Sequence, residues 1–405
     1  MTKRYAMGSY LAGAATARAG DEMSGPALLL AGSALAGSAS EASALLAGIT
    51  VSAAIGGPPL GALLDRAARP GRLLAGVVSL YAAGLAALLL GLGRLPFAVS
   101  VLTAVLTGLL GPALSGGWSA QLPRAVSGDR LPLANALDAM TFSAAGLAGP
   151  ALAGGVAEAL GASTAVAVSA ALIASAAPAA WRLPARPVPA RPLPAPGART
   201  APVTGSRTVS VTGVLAAGIR DILGSPSLAR ATLTSVVSCV AQGMFAACVP
   251  LLGAQVLGGP GRGAVLLSCT AVAALVTSAV LARFPHSLAP ETFLRAGSLV
   301  QASALALAAT GEPAALVTAA LVAGIAEGPQ LTALFEVRRR ESPEHLRGRI
   351  FTTGASLKIT GFALGAAAAG PLTSWSLPGT LCVAAGTAAL GALALGVPTT
   401  SAEPR

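Results

Sequence analysis

The sequence predicts an all-α integral membrane protein with twelve transmembrane helices in two six-helix bundles, and three observations carry that expectation. Of the 405 residues 54% are apolar and only 10% charged, and the mean hydropathy is +0.74. Such a chain has too little polar surface to fold in water, so a bilayer is its main solvent. Apolar stretches of about 20 residues recur along the whole length, each able to cross a hydrocarbon core of about 30 Å. The arginines gather in alternate connections between these stretches, as the positive-inside bias requires.

Taken in order, the spans are expected at 8–30, 42–64, 72–93, 97–119, 134–156, 161–181, 230–253, 263–283, 293–311, 314–336, 351–372 and 377–397. Lys3 and Arg4 before an apolar run have the form of a signal peptide. The hydrophobic stretch resumes after Glu22 and eleven more follow, so an uncleaved first helix is expected. Aromatic residues make up 3% of the chain against 49 glycines, which predicts helices that meet through small residues at close approach. Cys239, Cys248, Cys269 and Cys382 all fall inside apolar stretches without metal-ligand spacing, so neither a disulfide frame nor a metal site is expected.

With the N-terminus in the cytoplasm, Arg66, Arg69, Arg72, Arg124, Arg130, the arginines of 182–230, Arg283, Arg295, Arg338, Arg339, Arg340, Arg347 and Arg349 fall on one side. The opposite loops keep only Arg94 and Arg262. Both termini are therefore expected in the cytoplasm, in the plasma membrane. The net charge of +11 would suggest nucleic acid in a soluble domain, but here it belongs to membrane loops, and no nucleic-acid partner is expected.

Residues 182–207 are rich in Pro and Arg and have no hydrophobic period, which predicts an extended, solvated linker. The chain then divides into an N-terminal bundle at 1–181, a cytoplasmic linker at 182–229 and a C-terminal bundle at 230–405. The halves share landmarks. Gly149-Pro150 and Gly370-Pro371 lie 371 − 150 = 221 residues apart, and the same offset pairs Asp65 with His286. A duplicated six-plus-six architecture is the natural reading.

The loop after the second span reads Gly61-Ala-Leu-Leu-Asp65-Arg66-Ala-Ala-Arg69-Pro-Gly-Arg72. It resembles the G-x-x-x-D-R-x-G-R signature of the major facilitator superfamily, with Ala68 in place of a Gly and Pro70 where a basic residue is common. In the fifth span Ala145-x-x-x-Gly149-Pro150-x-x-Ala153-Gly154 is similar to the G-x-x-x-G-P-x-x-G-G motif of the antiporters of that superfamily. The resemblance implies that Asp65 caps the eleventh helix and latches the halves in the outward-facing state, with Arg66, Arg69 and Arg72 as its partners. It also implies that the first, fourth, seventh and tenth helices line a central cavity. The fourth span lacks the embedded arginine of many drug-proton antiporters, so their proton route does not carry over. Leu122-Pro123-Arg124 and the segment from Arg130 to Asn135 are similar to the corresponding loop of actinobacterial-type exporters.

Ionisable groups inside a span are costly and mark functional sites by default. Arg18, Asp21 and Glu22 are three and four residues apart, which places them on one helical face where Arg18 is expected to pair with one acid and leave the other free. Asp21 or Glu22 is the expected proton carrier, since an unpaired carboxylate in a low dielectric is suited to loading and releasing protons. Gln121, Gln242, Glu327 and Gln330 are further candidates for substrate contact, and Lys358 either joins them or snorkels to the interface. Asp138, three residues after Asn135, is expected to belong to a helix N-terminus, and His286 and His345 to solvated loops.

There is no G-x-x-x-x-G-K loop to cradle ATP phosphates, and the only lysines are Lys3 and Lys358. No catalytic Ser-His or metal constellation lies within the spans, so neither an enzyme nor a cofactor is expected. These residues point to a monomeric secondary transporter whose partners are a small molecule, protons and the bilayer. The cavity acids and aliphatic walls favour efflux of a hydrophobic or weakly cationic molecule, as in multidrug antiport. Uptake of a polar metabolite by symport, or a sensor or assembly component without transport, are the competing expectations.

Overall fold

The computed structural model describes residues 2–35, 39–126, 128–185, 211–258, 260–284 and 288–395, and the regular structure among them is helical. Twelve long helices occupy the expected positions. They are α1 Thr2–Leu35, α2 Ala39–Arg66, α3 Pro70–Gly91, α4 from Phe97–Gly108, α5 Leu131–Leu160, α6 from Ala162–Ser175, α7 Pro226–Val256, α8 Ala264–Arg283, α9 Pro290–Ala308, α10 Pro313–Glu341, α11 Arg347–Trp375 and α12 Leu377–Leu393. Among the described residues, eight helices are long and apolar enough to cross a membrane, and α12 is apolar but shorter. Charge density explains α1, which carries Arg18, Asp21 and Glu22 mid-helix.

Local chemistry sets the breaks. Proline opens α3, α7, α9, α10 and α12 in the first turn, where its missing N–H would lack a helical partner anyway. Ser225 and Ser376 cap α7 and α12 by accepting hydrogen bonds from the backbone N–H groups of Leu228 (3.3 Å) and Gly379 (3.0 Å). Gly93 (φ 71°) and Gly161 (φ 92°) make turns that a side chain would strain. In α4 the ladder fails before Pro112 and resumes as a π-helical turn, Ala113–Gly117, which brings Trp118 fully inside.

The two halves have separate cores. One cluster collects residues from Tyr10 to Ala180, another from Ala241 to Ala388. They meet where α2 runs along α11 and α5 along α8. Small residues permit this: a Cβ on Gly57 or Gly61 would overlap Thr352 or Arg349 of α11, and one on Gly116 would overlap Phe351. Within the second half α7 and α11 cross in the same way, with Gly243 against the backbone of Phe362 and Gly365 against that of Val240. Gly365→Leu is therefore expected to force this crossing apart at a cost of about 1–3 kcal/mol or more, read as a lower unfolding midpoint of the purified protein.

The stretch expected to be extended, 182–207, lies almost wholly outside the described residues, and the linker beyond it carries a helix. Val211–Leu223 is a helix, and it packs on both halves: Gly218 lies against Thr353 and Pro58, and Ile222 joins Leu228 and Ile350 in a small apolar cluster. The proline-rich composition upstream hid a short amphipathic turn sequence with its own apolar face. Residues 186–210 lie outside the described residues, as does His286, so its pairing with Asp65 has no structural counterpart to compare. Of the other pair of landmarks, Gly149 is buried against α1 while Gly370 has open space where a Cβ would go.

Candidate functional site

A cavity of about 30 Å³, room for roughly two waters, opens in the second half near mid-span. It is lined by Thr234, Ser235, Ser238, Cys239 and Gln242 of α7, Leu294 of α9, Glu327, Gln330 and Leu331 of α10, and Lys358 of α11. Positions 234, 238 and 242 repeat every four residues, so one polar stripe of α7 faces this space. Gln330 donates to Ser298 Oγ (3.3 Å) and packs over Gly297. Gln242, Glu327, Gln330 and Lys358 are thus brought together around one space, and its aliphatic lining is limited to two leucines.

The first half contributes acids. Glu22 of α1 lies within electrostatic reach of both Asp21 and Glu327, and Glu327 within reach of Lys358. The Glu22 side chain is exposed, while its Cβ and backbone pack on Gly149 of α5. Asp21 turns instead towards α3, where its carboxylate accepts a hydrogen bond from the Tyr81 hydroxyl at 2.8 Å.

Arg18 corrects the expected pairing on α1. Its guanidinium leaves Asp21 and Glu22 and pairs with Asp138 of α5 at 2.8 Å, with 2% and 0% of the two side chains exposed. Helical spacing placed the acids of α1 beside Arg18, but the closer partner comes from a neighbouring helix, which periodicity within one helix does not reveal. Protein groups surround the pair, although Arg18 Nε has no acceptor among the described residues. Arg18 Nη2 donates to Ser119 Oγ (2.9 Å), Ser119 donates to Asp138 Oδ2 (2.6 Å), and Tyr10 donates to Asp138 Oδ1 (2.9 Å). Arg18 Nη1 also reaches the Asp138 carbonyl (3.0 Å) and Thr141 Oγ1. Asp138 is the eighth residue of α5 and not part of its N-terminus. That depth, beyond any capping position, was the signal for its role.

Beside this pair lies an aromatic contact between the halves. The Arg18 guanidinium stacks 3.6 Å from the Phe142 ring centre. Phe142 of α5 meets Phe335 of α10 (5.7 Å between centroids), and Phe335 meets Phe351 of α11 (5.9 Å), so three rings bridge the halves. The sequence has only eight phenylalanines, and three of them converging here was visible only in the fold.

One turn further out, Asp65 at the end of α2 accepts hydrogen bonds from the backbone N–H groups of Gly348 (2.7 Å) and Arg349 (2.8 Å), the first turn of α11. The carboxylate satisfies two of the four unpaired N–H groups there and faces the positive end of the helix. The Arg349 side chain pairs in turn with Asp221 of the linker helix. Of the arginines around Asp65, Arg72 stacks on the Trp181 ring at 4.8 Å, and Arg66 and Arg69 are exposed or partly exposed near the loop.

The remaining candidates scatter. Gln121 is buried at the end of α4, accepting from Arg124 Nη1 (2.7 Å), away from the cavity. In the α5 motif Ala145, Gly149 and Ala153 are buried, whereas Pro150 and Gly154 are exposed, so a four-residue repeat and not the whole motif forms the packed face. Arg338, expected among loop arginines, is instead buried against Gly354 of α11. The run Arg338-Arg339-Arg340 disguised it, since such runs ordinarily anchor a helix end.

A model of the Major Facilitator Superfamily matches residues 10–305. The chain belongs to this superfamily. As a member of the Major Facilitator Superfamily it is a multi-pass membrane transporter and not an enzyme. Its fold is similar to that of the human organic anion transporter TETRAN (TM-score 0.76, 16% identity, covering 98% of this chain and 100% of that one). It is also similar to a bacterial homologue of the iron transporter ferroportin in its outward-facing state (TM-score 0.73, 15% identity, 98% of each chain). The E. coli fucose:proton symporter FucP is a third likeness (TM-score 0.69, 12% identity, 98% and 99%). No curated protein matches the sequence. An organic anion transporter, a homologue of an iron transporter and a fucose:proton symporter thus share this fold, so the fold alone does not set the cargo.

Proposed function

We propose that the chain exports a small, positively charged molecule in exchange for protons, by rocking its two six-helix bundles, 1–181 and 230–405, about the join between them. The observation that carries this reading is that Glu22 of the first half lies within electrostatic reach of Glu327 of the second, which lines a polar cavity. Because Arg18 is committed to Asp138, Asp21 and Glu22 have no cation of their own helix to neutralise them. They are the groups offered for proton exchange, and their charge favours a cationic cargo. Asp65 acts as the latch of the state seen here, with the arginine-rich end closed and facing the cytoplasm. The packing of Gly149 on Glu22 and Met23 places the antiporter-like motif against the acids, which supports exchange. The transporter is proposed to work as a monomer in the plasma membrane with both termini cytoplasmic.

Uptake of a polar metabolite by symport is the second reading. The hydroxyl and amide lining of the cavity favours it over a hydrophobic cargo. Proteoliposomes with an imposed pH gradient and a panel of radiolabelled small amines and amino acids decide between them. Under exchange, cargo moves against the direction of proton flow, and the double variant Asp21→Asn, Glu22→Gln abolishes gradient-driven movement while counterflow persists. Gradient-driven movement that survives both substitutions removes the proton assignment, movement along the proton flow makes the chain a symporter, and no flux of any kind returns it to a sensor role.

A further inference from the structure

Arg338 belongs to the last turn of α10, yet only 1% of it is exposed. Its Nε and Nη2 reach no acceptor among the described residues. A guanidinium withdrawn from water and left without a partner is strongly unfavourable, and a fold retains one where a ligand completes it. Helical side chains lean towards the N-terminal end of their helix, which carries this guanidinium away from the arginine-rich end and into the protein. There it rests on Gly354 of α11, where a Cβ would stand 2.9 Å from Nη1.

α11 runs in the opposite sense to α10. Lys358 lies one turn beyond Gly354 on the same face, so its side chain leans back towards the spot Arg338 reaches. Lys358 lines the cavity, and no carboxylate among the described residues stands in ion-pair contact with it. Cys239, in the cavity wall, lies within electrostatic reach of both cations. Glu327 shares the face of α10 with Arg338, 338 − 327 = 11 residues or about three turns away, and leans towards the other end. Lys358 in the cavity wall and Arg338 behind it therefore lean towards one another past Cys239, and the Glu327 carboxylate stands further along α10.

We propose that Arg338 and Lys358 form an oxyanion subsite and that the cargo is a small zwitterion, its carboxylate seated between these cations and its amine directed to Glu327. The inference rests on the transport reading and narrows its cargo: a positive group for the acids, and a negative one that the transport reading does not require. The hydroxyl of Ser235 in the cavity wall supplies a neutral donor for such a carboxylate, while those of Thr234 and Ser238 already bond Gly391 and Ser298.

The test is ligand-induced stabilisation of the full-length, detergent-purified protein, with no gradient present. The probes are glycine and γ-aminobutyrate, which differ in the spacing of their charges, with acetate, methylammonium and inorganic phosphate. The expected result is that a zwitterion raises the unfolding midpoint at lower concentration than acetate, and acetate at lower concentration than methylammonium. Arg338→Gln and Lys358→Gln should each weaken the zwitterion and acetate responses by at least about tenfold. Arg338→Gln should leave the empty protein as stable as before or more so, because it removes a charge with no partner. A lower midpoint of empty Arg338→Gln would make the arginine structural and overturn the proposal. So would a zwitterion response that survives both substitutions, the lack of any response to the zwitterions, or a response to phosphate alone, which would make the cargo a phosphate compound. Binding is read here without flux, so its failure counts against the subsite, while the gradient experiment counts for or against proton exchange.

Discussion

Replacing Asp138 with alanine is expected to destabilise the N-terminal bundle by about 3–5 kcal/mol, because it strands the Arg18 guanidinium in a site closed to water. The size of the effect follows from burial. Both side chains are essentially inaccessible, and the loss takes with it the hydrogen bonds from Tyr10 and Ser119 as well as the ion pair. The double variant Arg18→Met, Asp138→Leu is expected to recover most of the loss, since two apolar side chains replace two charges that each needed the other. Thermal unfolding in detergent of the wild type, the two single variants and the double variant completes the cycle. A double variant no better than Asp138→Ala would show that the network of Tyr10, Ser119 and Thr141, and not the charge pair, carries the energy.

Asp65→Asn is expected to open the arginine-rich end. An amide keeps one acceptor for the N-terminus of α11 but turns an NH₂ towards a second N–H, so one charge-assisted hydrogen bond is lost and one contact becomes repulsive. A loss of about 2 kcal/mol shifts a two-state balance roughly 30-fold. Thr352, fully buried against Gly61 of α2, reports the change. Alkylation of a Thr352→Cys side chain, followed by peptide mass spectrometry so that the native cysteines do not interfere, should accelerate by about that factor in the Asp65→Asn background. An unchanged rate would reduce Asp65 to a helix cap without influence on opening.

The placement of the helices was legible because hydrocarbon length and loop arginines act locally along the chain. α4 and α6 sit at their expected positions for that reason, and the glycines of α2 announced a close approach. What the sequence left hidden depends on which helices become neighbours. Arg18 had acids at helical spacing, and nothing in the spacing could show that Asp138, 120 residues away, would lie closer. Arg338 was masked by its two arginine neighbours, although it alone of the three is buried. The stripe of Thr234, Ser238 and Gln242 was readable in principle, since a four-residue repeat of polar groups within an apolar span needs something polar to face. The helix at Val211–Leu223 follows a proline-rich tract whose composition suggested solvent, and its contacts come from α2 and α11.

That same short helix has a mechanical implication. Asp221 grips the side chain of Arg349, whose backbone amide is bound by Asp65, so one residue is held from both sides by two different parts of the chain. Freeing either grip removes support from the other, and intermediate degrees of opening gain nothing. The gate at this end should therefore behave as a snap-action switch, with a steep dependence on any force or modification applied to the peptide that connects the bundles.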